Sequence, residues 1–366
     1  MNKLSDLGSV LNGAPVPTSK GIYPAYGGNG ILKFVNCYNY PENTIIIGRV
    51  GANCGSVNIS DNKCWVSDNS LAFIVNKNND PYYVYYLLKQ LDLNKFHIGS
   101  SQPLITQTII NNIEYKYTKD KSTQAKLVEI LKHIDDKIDK NNQINSKLEN
   151  LVKTIYDYWF LQFEFPDENG KPYKSSGGEM VWNDELKKEI PEGWEVKKIS
   201  EILSKIPSTE NIKKNEYKSD GAIPIIDQST EYICGYTNKK ETIVNLKDSI
   251  IFGDHTKIIK YINFNFARGA DGTQILNSNN SNLSNYLLYQ QIKDFNLISQ
   301  GYSRYFKFLK DKYIIIPEQK TNSDYSKLTV PINETIKNNV IENKQLMNLR
   351  DFLLPLLMNG QIGFKD

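Results

Sequence analysis

Short strings of side chains that catalysis could use occur at three places, and each also fits a purely structural role. Asp80-Pro81-Tyr82-Tyr83 joins a carboxylate to aromatic rings, a combination that could hold an extruded nucleobase. Its counterpart later in the chain, Ser284-Asn285-Tyr286, has neither Asp nor Pro, and no glycine-rich turn follows a strand to bind a cofactor. A helix cap followed by the first residues of a helix explains both strings.

The other two strings are also weak candidates for a catalytic centre. Pro166-Asp167-Glu168 with Lys171 has the residue types of a nuclease site, but Mg²⁺ needs carboxylates that converge from neighbouring strands rather than from one turn. Gly253-Asp254-His255 could be half of an acid–base pair, yet its counterpart Gly48-Arg49-Val50 carries no such chemistry. No G-x-S-x-G, Walker A or H-E-x-x-H motif occurs. The sequence therefore predicts a chain without a catalytic site.

Composition excludes several other classes of protein. There is no run of about 18 apolar residues to span a membrane and no signal-peptide core near the N-terminus. No CxxC pair or His cluster favours a metal site, so reduced thiols in a cytoplasmic protein are expected of Cys37, Cys54, Cys64 and Cys234. The net charge of +3 neither indicates nor excludes a nucleic-acid partner.

Polar residues on glycine-rich loops are the remaining candidates for function. Arg, Gln, Asn, Ser and Thr are the residue types that contact base edges, and Lys and backbone N–H groups bind phosphates. In the first part of the chain the candidates are Arg49, Asn53, Ser100, Ser101, Gln102, Thr106 and Gln107. In the second part they are Lys257, Arg268, Thr273, Gln274, Tyr302, Ser303, Arg304, Tyr305 and Lys307. Any one of them could be an ordinary solvated side chain, so the indication of DNA binding comes from their matching placement.

That matching placement reflects an internal duplication. Residues 1–121 contain short β-type runs interrupted by one helix, Tyr82 to Leu91, and a similar order returns in residues 197–326. Ser249-Ile250-Ile251-Phe252-Gly253, for example, parallels Thr44-Ile45-Ile46-Ile47-Gly48. Two copies are too few for a solenoid, so a pair related by a pseudo-two-fold axis is expected. We call the two copies module 1 and module 2.

Each module is followed by a long helix, predicted over 122–160 and 327–358. The first helix has an apolar seam with a 3–4 spacing: Leu127, Leu131, Ile134, Ile138, Asn141, Asn145, Leu148, Val152, Ile155 and Trp159. Positions 198 residues later repeat the inner part of it: Ile332, Ile336, Asn339, Asn343 and Leu346, followed by Leu353 and Leu357. This is a coiled-coil period, and a buried Asn fixes register at a cost in stability. We therefore expect Asn141, Asn145, Asn339 and Asn343 to set the register, and Pro355 to kink or end the last helix.

The segment between the modules carries a resemblance to a known family. Tyr156-Asp157-Tyr158-Trp159-Phe160, Phe163-Glu164-Phe165-Pro166, the stretch from Gly170 to Met180 and Ile190-Pro191-Glu192-Gly193-Trp194-Glu195 resemble the specificity (S) subunit of Type I restriction-modification systems. The loop from Gly99 to Thr106 looks like the family's Gly-Ser-rich loop. Module 1 departs from the pattern because it lacks the Pro-Glu-Gly-Trp opening. The second Gly-Ser loop reads Gly301-Tyr302-Ser303-Arg304, so base contacts cannot be transferred between the copies.

The resemblance implies a fold and a set of partners. The fold would be α+β, with two pseudo-two-fold-related, β-rich target-recognition domains joined by two long helices packed as an antiparallel coiled coil. The implied boundaries are domain 1 at 1–121, spacer helix 1 at 122–160, a connector at 161–196, domain 2 at 197–326, and spacer helix 2 with a tail at 327–366. The partners would be double-stranded DNA, two methyltransferase (M) subunits and restriction (R) subunits. S-adenosylmethionine, ATP and Mg would bind to M and R, so no catalytic residue is assigned to this chain.

The physics of paired DNA readers adds an expectation about the target. Two readers on one side of B-DNA would contact half-sites centred about one helical turn apart, roughly 10–10.5 bp. Because the loops differ between the modules, the half-sites should differ and the bipartite target should be asymmetric. The alternatives are a scaffold or inhibitor that binds methyltransferase subunits without contacting DNA, and a self-sufficient enzyme that binds the methyl donor itself.

Overall fold

The computed structural model describes residues 2–99, 102–206, 209–297 and 304–362. The chain divides into two compact units. Unit 1 consists of the residues up to Asn141 together with those from Ile341 onward, and unit 2 is Asn142–Val340. Each unit therefore contains one of the duplicated modules together with one segment of each long helix.

Unit 1 contains a four-stranded sheet, a three-stranded sheet and a two-stranded pair. Its strands are β1 Asn2–Lys3, β2 Gly8–Asn12, β3 Tyr23–Gly27, β4 Gly30–Val35, β5 Thr44–Gly48, β6 Val57–Ser60, β7 Trp65–Val66, β8 Ser70–Val75 and β9 Glu114–Tyr115. The antiparallel order β2-β8-β5-β6 forms the larger sheet, β4-β3-β7 forms the smaller one, and β1 pairs with β9. β5 lies inside the larger sheet and is buried along its whole length, which explains its run of three β-branched isoleucines.

The helices that follow these strands are α1 Pro81–Gln90, α2 Gln107–Asn112 and the long α3 Lys121–Tyr156, and α3 continues into one π-helical turn at Asp157–Leu161. Shorter 3₁₀ turns occur at Leu4–Asp6, Gly51–Asn53 and Leu93–Phe96. The structure confirms that Asp80 is a helix cap, because its carboxylate accepts a hydrogen bond of 2.9 Å from the backbone N–H of Tyr83 and Pro81 is the first helical residue.

Unit 2 repeats this order of elements with additional strands. Its strands are β10 Met180–Asn183, β11 Lys188–Pro191, β12 Glu195–Lys198, β13 Ile223–Ile226, β14 Gly235–Thr237, β15 Ile243–Val244, β16 Ser249–Gly253, β17 Ile259–Ile262, β18 Phe266–Arg268, β19 Thr273–Leu276 and β20 Tyr313–Ile316. Its helices are α4 Ile199–Ile202, α5 Asn285–Ile292, α6 Tyr305–Lys310 and the long α7 Gln319–Met358, and 3₁₀ turns occur at Lys214–Glu216 and Lys240–Thr242.

The central strand of unit 2 corresponds to that of unit 1. The sheets are β14-β13-β18-β15, β17-β16-β19, β12-β20 and β10-β11. β16, like β5, lies inside its sheet, is buried along its whole length and ends at a glycine. Ser284 caps α5 by accepting a hydrogen bond from the N–H of Leu287 at 3.3 Å, as Asp80 caps α1. The duplicated order predicted from the sequence is therefore present in the described residues.

The predicted antiparallel helix pair is confirmed within each unit. In unit 1, Asp135 of α3 accepts a hydrogen bond of 2.8 Å from Arg350 of α7, and Asn141 donates one of 2.9 Å to Asn343. In unit 2, Asn339 donates one of 2.7 Å to Asn145. Residue numbers rise along α3 as those of their partners fall along α7, so the helix segments are antiparallel.

The seam residues are buried or half-buried, in agreement with the coiled-coil period. Those with an exposed fraction below a tenth are Leu127, Leu131, Ile134, Asn141, Asn145, Val152, Trp159, Asn343 and Leu357, and Asn339 is half-buried. Asn339 lies 198 residues after Asn141 but bonds Asn145. Asn343 lies 198 residues after Asn145 but bonds Asn141. The four amides are therefore two cross-helix pairs in one register.

The second long helix begins earlier than predicted. α7 starts at Gln319 rather than Lys327, because tertiary packing stabilises turns that have no apolar seam: Tyr325 is fully buried, and the Asn322 side chain accepts a hydrogen bond from Ser284 N–H at 3.0 Å. The helix also continues through Pro355 and ends three residues later at Met358.

Among the described residues, no helix combines the length and the apolar composition needed to cross a bilayer.

The connector between the modules is part of a core rather than a loose linker. Phe165 stacks on both Tyr173 and Trp194, with ring centroids 4.6 and 5.0 Å apart, and Phe163 meets Trp194 edge-on at 5.7 Å. Asp167 accepts hydrogen bonds of 2.8 Å from two backbone N–H groups of its own turn, which confirms that it belongs to a turn. The family-like aromatic residues of this segment therefore belong to the core of unit 2.

The amide pairing leads to a prediction about stability. Asn141→Leu alone removes the amide that donates to the Asn343 side-chain oxygen, at a cost of about 1–3 kcal/mol, whereas Asn141→Leu with Asn343→Leu replaces both amides of the pair. A double-mutant cycle by denaturant unfolding should therefore give a favourable coupling of about 1–3 kcal/mol. The matched control combines Asn141→Leu with Asn348→Leu, since Asn348 is exposed on α7. Equal coupling in both cycles would show that the amides do not act as a pair.

Candidate nucleic-acid interface

In unit 1, two loops meet where the central strand β5 ends. Gly48 closes the strand, and a Cβ at this position would overlap the carbonyl oxygen of Asn53, so only glycine allows the turn. The N–H of Gly51 donates to the carbonyl of Pro103 at 3.0 Å, and the N–H of Ile105 donates to the carbonyl of Arg49 at 2.9 Å. The 49–53 loop and the loop ending at Ile105 are therefore held together by backbone hydrogen bonds.

The candidate residues of these loops differ in exposure. Asn53 and Gln102 are exposed, and Arg49 is half-buried with an Nε atom that has no hydrogen-bond partner among the described residues. Thr106 caps α2 by accepting from the N–H of Ile109 at 3.2 Å, and Gln107 is half-buried in the first turn of that helix. The structure therefore brings Arg49, Asn53 and Gln102 together and gives Thr106 a structural role.

In unit 2, the turn after the central strand β16 meets the start of α6. Asp254 accepts two hydrogen bonds from this helix, from the N–H of Tyr305 to its carbonyl at 2.9 Å and from the N–H of Phe306 to its carboxylate at 2.8 Å. The ammonium group of Lys257 lies 4.3 Å above the centre of the Tyr305 ring. Asp254 thus caps α6, so the Asp of the Gly253-Asp254-His255 string has a structural role.

This arrangement places cations at one surface. Lys257, Arg304 and Lys307 are exposed, and Tyr305 is half-buried beside them. Lys257 has a φ of +62°, a left-handed conformation that is uncommon for a residue with a Cβ. The turn that carries Lys257 is thus a specific, tightly folded turn rather than an open loop.

Gln228 is a positioning residue that the sequence pattern did not single out. Its carbonyl accepts from Thr256 Oγ1 at 2.7 Å, its Oε1 accepts from the N–H of His255 at 3.2 Å, and its Nε2 donates to the carbonyl of Asp271 at 2.8 Å. One side chain therefore ties the 254–257 turn to the 269–272 loop. No sequence motif marks Gln228, because its role depends on contacts with segments 27 and 43 residues away.

The residue before Gln228 anchors this corner. Asp227 accepts hydrogen bonds from the backbone N–H of Ser229 at 2.8 Å, from the thiol of Cys234 at 2.8 Å and from the hydroxyl of Tyr217 at 3.1 Å. Burial would raise the pKa of Asp227, but these donors hold it below its ordinary value. Burial and the Asp227 carboxylate raise the pKa of Cys234, so the thiol stays protonated and can donate.

The remaining candidates of module 2 lie on β18 and β19. Arg268 is half-buried, donates from Nη2 to the carbonyl of Thr209 at 3.0 Å, and has a buried Nε without a partner among the described residues. It lines a small cavity together with Gln274 and Phe306. Thr273 is 3% exposed and its hydroxyl donates to Ala270, so its side chain is used internally. Four candidates lie outside the described residues, namely Ser100, Ser101, Tyr302 and Ser303.

The chemistry of the two loop surfaces suits polar recognition. Unit 1 presents amide side chains that can donate and accept at once, and unit 2 presents cations with an aromatic ring. Within the described residues, no group of three or more His, Cys, Asp or Glu side chains is placed to hold a metal ion. The loop surfaces are the regions where the sequence candidates converge in each unit.

A comparison with protein families identifies the chain. The family model described as the Type I restriction modification DNA specificity domain matches residues 2–150 and 191–344. The chain belongs to this family. The first matched segment of the chain contains module 1 and most of α3, and the second contains module 2 and part of α7. This is the duplicated order seen in the structure.

Individual relatives of the family agree with this assignment. The chain is 28% identical over 356 residues to the Type I restriction enzyme MjaIX specificity subunit of Methanocaldococcus jannaschii, covering 89% of this chain and 79% of that protein. It is 26% identical over 321 residues to the HindI specificity subunit of Haemophilus influenzae, covering 66% and 68%. The crystal structure of a Type I restriction-modification S subunit from M. genitalium has the same fold, with a TM-score of 0.61, 16% identity and coverage of 98% and 95%.

The capping role of Asp254 can be tested by hydrogen exchange. Asp254→Ala removes the acceptor of the Phe306 amide, and a lost cap costs about 1 kcal/mol. The amide of Phe306 should therefore exchange roughly fivefold faster. Asp311→Ala is the control, because Asp311 is exposed at the other end of α6. Unchanged exchange in Asp254→Ala, or equal acceleration in both variants, would contradict the capping role.

Proposed function

We propose that this chain is the non-catalytic, sequence-specific DNA-binding subunit of a Type I restriction-modification complex and binds an asymmetric bipartite target. The observation that carries the proposal is the equivalent location of two different loop surfaces. Each follows the glycine that ends the buried central strand of its unit, which is Gly48 in β5 and Gly253 in β16. Equivalent locations support one shared role, and different side chains support two different half-sites.

The side chains indicate how each surface would contact DNA. Asn53 and Gln102 of unit 1 are exposed amides, and an amide can bond an adenine edge through two hydrogen bonds in the major groove. Arg304 of unit 2 is an exposed guanidinium that suits guanine, and Lys257 and Lys307 beside it suit phosphates. Thr273 is omitted from the proposed interface because its side chain is buried.

The long helices would provide the docking surfaces for the other subunits. Large apolar side chains remain exposed on them outside the seam, with Leu349 at 46% and Phe352 at 65% on α7 in unit 1, and Ile144 at 42% and Leu151 at 48% on α3 in unit 2. Exposed apolar groups on a helix are typical of protein–protein contacts. We propose that they contact two methyltransferase subunits, that restriction subunits join this complex, and that S-adenosylmethionine, ATP and Mg bind to those partners.

Footprinting of the complex assembled with methyltransferase subunits tests the proposal. The wild-type complex should protect two blocks centred about one helical turn apart, roughly 10–10.5 bp. Gln102→Ala should weaken protection of one block and Arg304→Ala that of the other, because the two residues lie in different units. Arg304→Lys should retain phosphate attraction but relax sequence preference, since lysine lacks the planar fork of donors.

The controls separate DNA contact from assembly. Gln143→Ala replaces an exposed amide on α3 and should leave both protected blocks unchanged. One continuous protected block, or weakening of the same block by both loop substitutions, would contradict the two-reader proposal. Assembly with methyltransferase subunits but no sequence-dependent protection would instead favour the DNA-independent scaffold.

A further inference from the structure

A hairpin of unit 1 exposes apolar side chains along an edge strand. β3 and β4 form this hairpin, and β4 lies at the edge of its three-stranded sheet. Ile31, Leu32 and Phe34 of β4 are 51%, 57% and 52% exposed. Phe34 and Ile31 pair with Pro24 and Tyr26, and the register shifts between Ala25 and Tyr26 so that Leu32 is the extra residue of a bulge; Ile31 and Phe34 therefore share one exposed face of β4. An exposed apolar edge strand is an aggregation hazard, and its presence indicates a contact surface.

The tip of the hairpin lies against the proposed DNA-binding loop of unit 1. Gly27 pairs with Gly30, which leaves Gly28 and Asn29 as the turn. A Cβ at Gly28 would lie 3.2 Å from the Cα of Gly48 and 3.4 Å from the Cβ of Asn53, and the carbonyl of Gly28 accepts a hydrogen bond from the hydroxyl of Ser56. The apolar strand therefore begins beside the loop that carries Arg49 and Asn53.

The charge of this segment favours an anionic partner. Between Leu7 and Pro41 the chain contains no Asp or Glu, and its only charged residues are Lys20 and Lys33. Lys33 is exposed in β4 between Leu32 and Phe34. A surface with apolar side chains and lysines but no carboxylates attracts phosphates without repelling them, so it suits a nucleic acid. The Lys and Arg side chains of a protein partner would find no acidic residue here to pair with.

We propose that the β3–β4 hairpin enters the major groove of the duplex bound by unit 1, where Leu32 and Phe34 contact thymine methyl groups and Lys33 lies near a phosphate. The inference rests on the proposed function and adds an apolar contact to its polar ones. A two-stranded ribbon fits a major groove about 12 Å wide, whereas the minor groove of undeformed B-DNA is only about 6 Å wide. The thymine methyl is the one apolar group that base pairs present there.

Deoxyuridine substitution tests this contact, because it removes only the methyl group of thymine. The probe is the target duplex found by methylation sequencing, with thymine or deoxyuridine in the half-site that Gln102→Ala weakens, and binding by the assembled complex is measured by fluorescence anisotropy. The wild type should bind the deoxyuridine duplex several-fold more weakly. Leu32→Ser with Phe34→Ser should lose about tenfold on the thymine duplex and show no further loss on deoxyuridine.

Ile22→Ser is the matched control, since Ile22 is 79% exposed at the opposite end of the same hairpin and its loss should leave affinity unchanged. The double variant should assemble normally, because substitutions of exposed side chains change stability little. Wild-type affinity in the double variant, or an undiminished response to deoxyuridine, overturns the inference while the proposed function stands. A wild-type complex that binds no duplex overturns both the hairpin inference and the proposed function. A half-site that contains no thymine overturns the hairpin inference.

Discussion

Two amide pairs connect the long helices, one within each unit. Asn141 bonds Asn343 and Asn339 bonds Asn145, inside a seam that is otherwise apolar. A slip of either helix would bury amides against leucine or isoleucine without partners, and each unsatisfied group costs about 1–3 kcal/mol. We therefore propose that the amides favour a single helix alignment at a cost in apolar burial, as polar residues do in coiled coils.

The register matters because each unit is closed by segments of both long helices. In unit 1, Leu127 and Leu131 of α3 and Leu357 of α7 enter the same core as the central strand residues Ile45 and Ile47. In unit 2, Val152 of α3 and Tyr325 of α7 share a core with Ile250 and Phe252 of β16. Helix alignment, sheet position and loop position are thus connected through packed side chains in each unit, and the loop surfaces follow from the same packing.

The sequence predicts those features that arise from periodic patterns and local caps. The seam, the buried β5 and β16, and the capped starts of α1 and α5 all follow from spacing or from one capping residue. Contacts between distant segments leave no such pattern: the first turns of α7 are stabilised by burial of Tyr325, and Gln228 connects segments that are far apart in the chain. The capping of α6 by Asp254 likewise leaves no local sequence signal, because the acceptor lies about 50 residues before the helix.

We propose that two different surfaces at equivalent positions give the complex a two-part target. Sequencing of methylated bases in host genomes with and without this gene measures that target directly. We expect one gene-dependent motif with two different specific parts, separated by unspecified bases and centred about one helical turn apart. A single contiguous motif, a motif with two identical halves, or methylation that does not depend on the gene would contradict it.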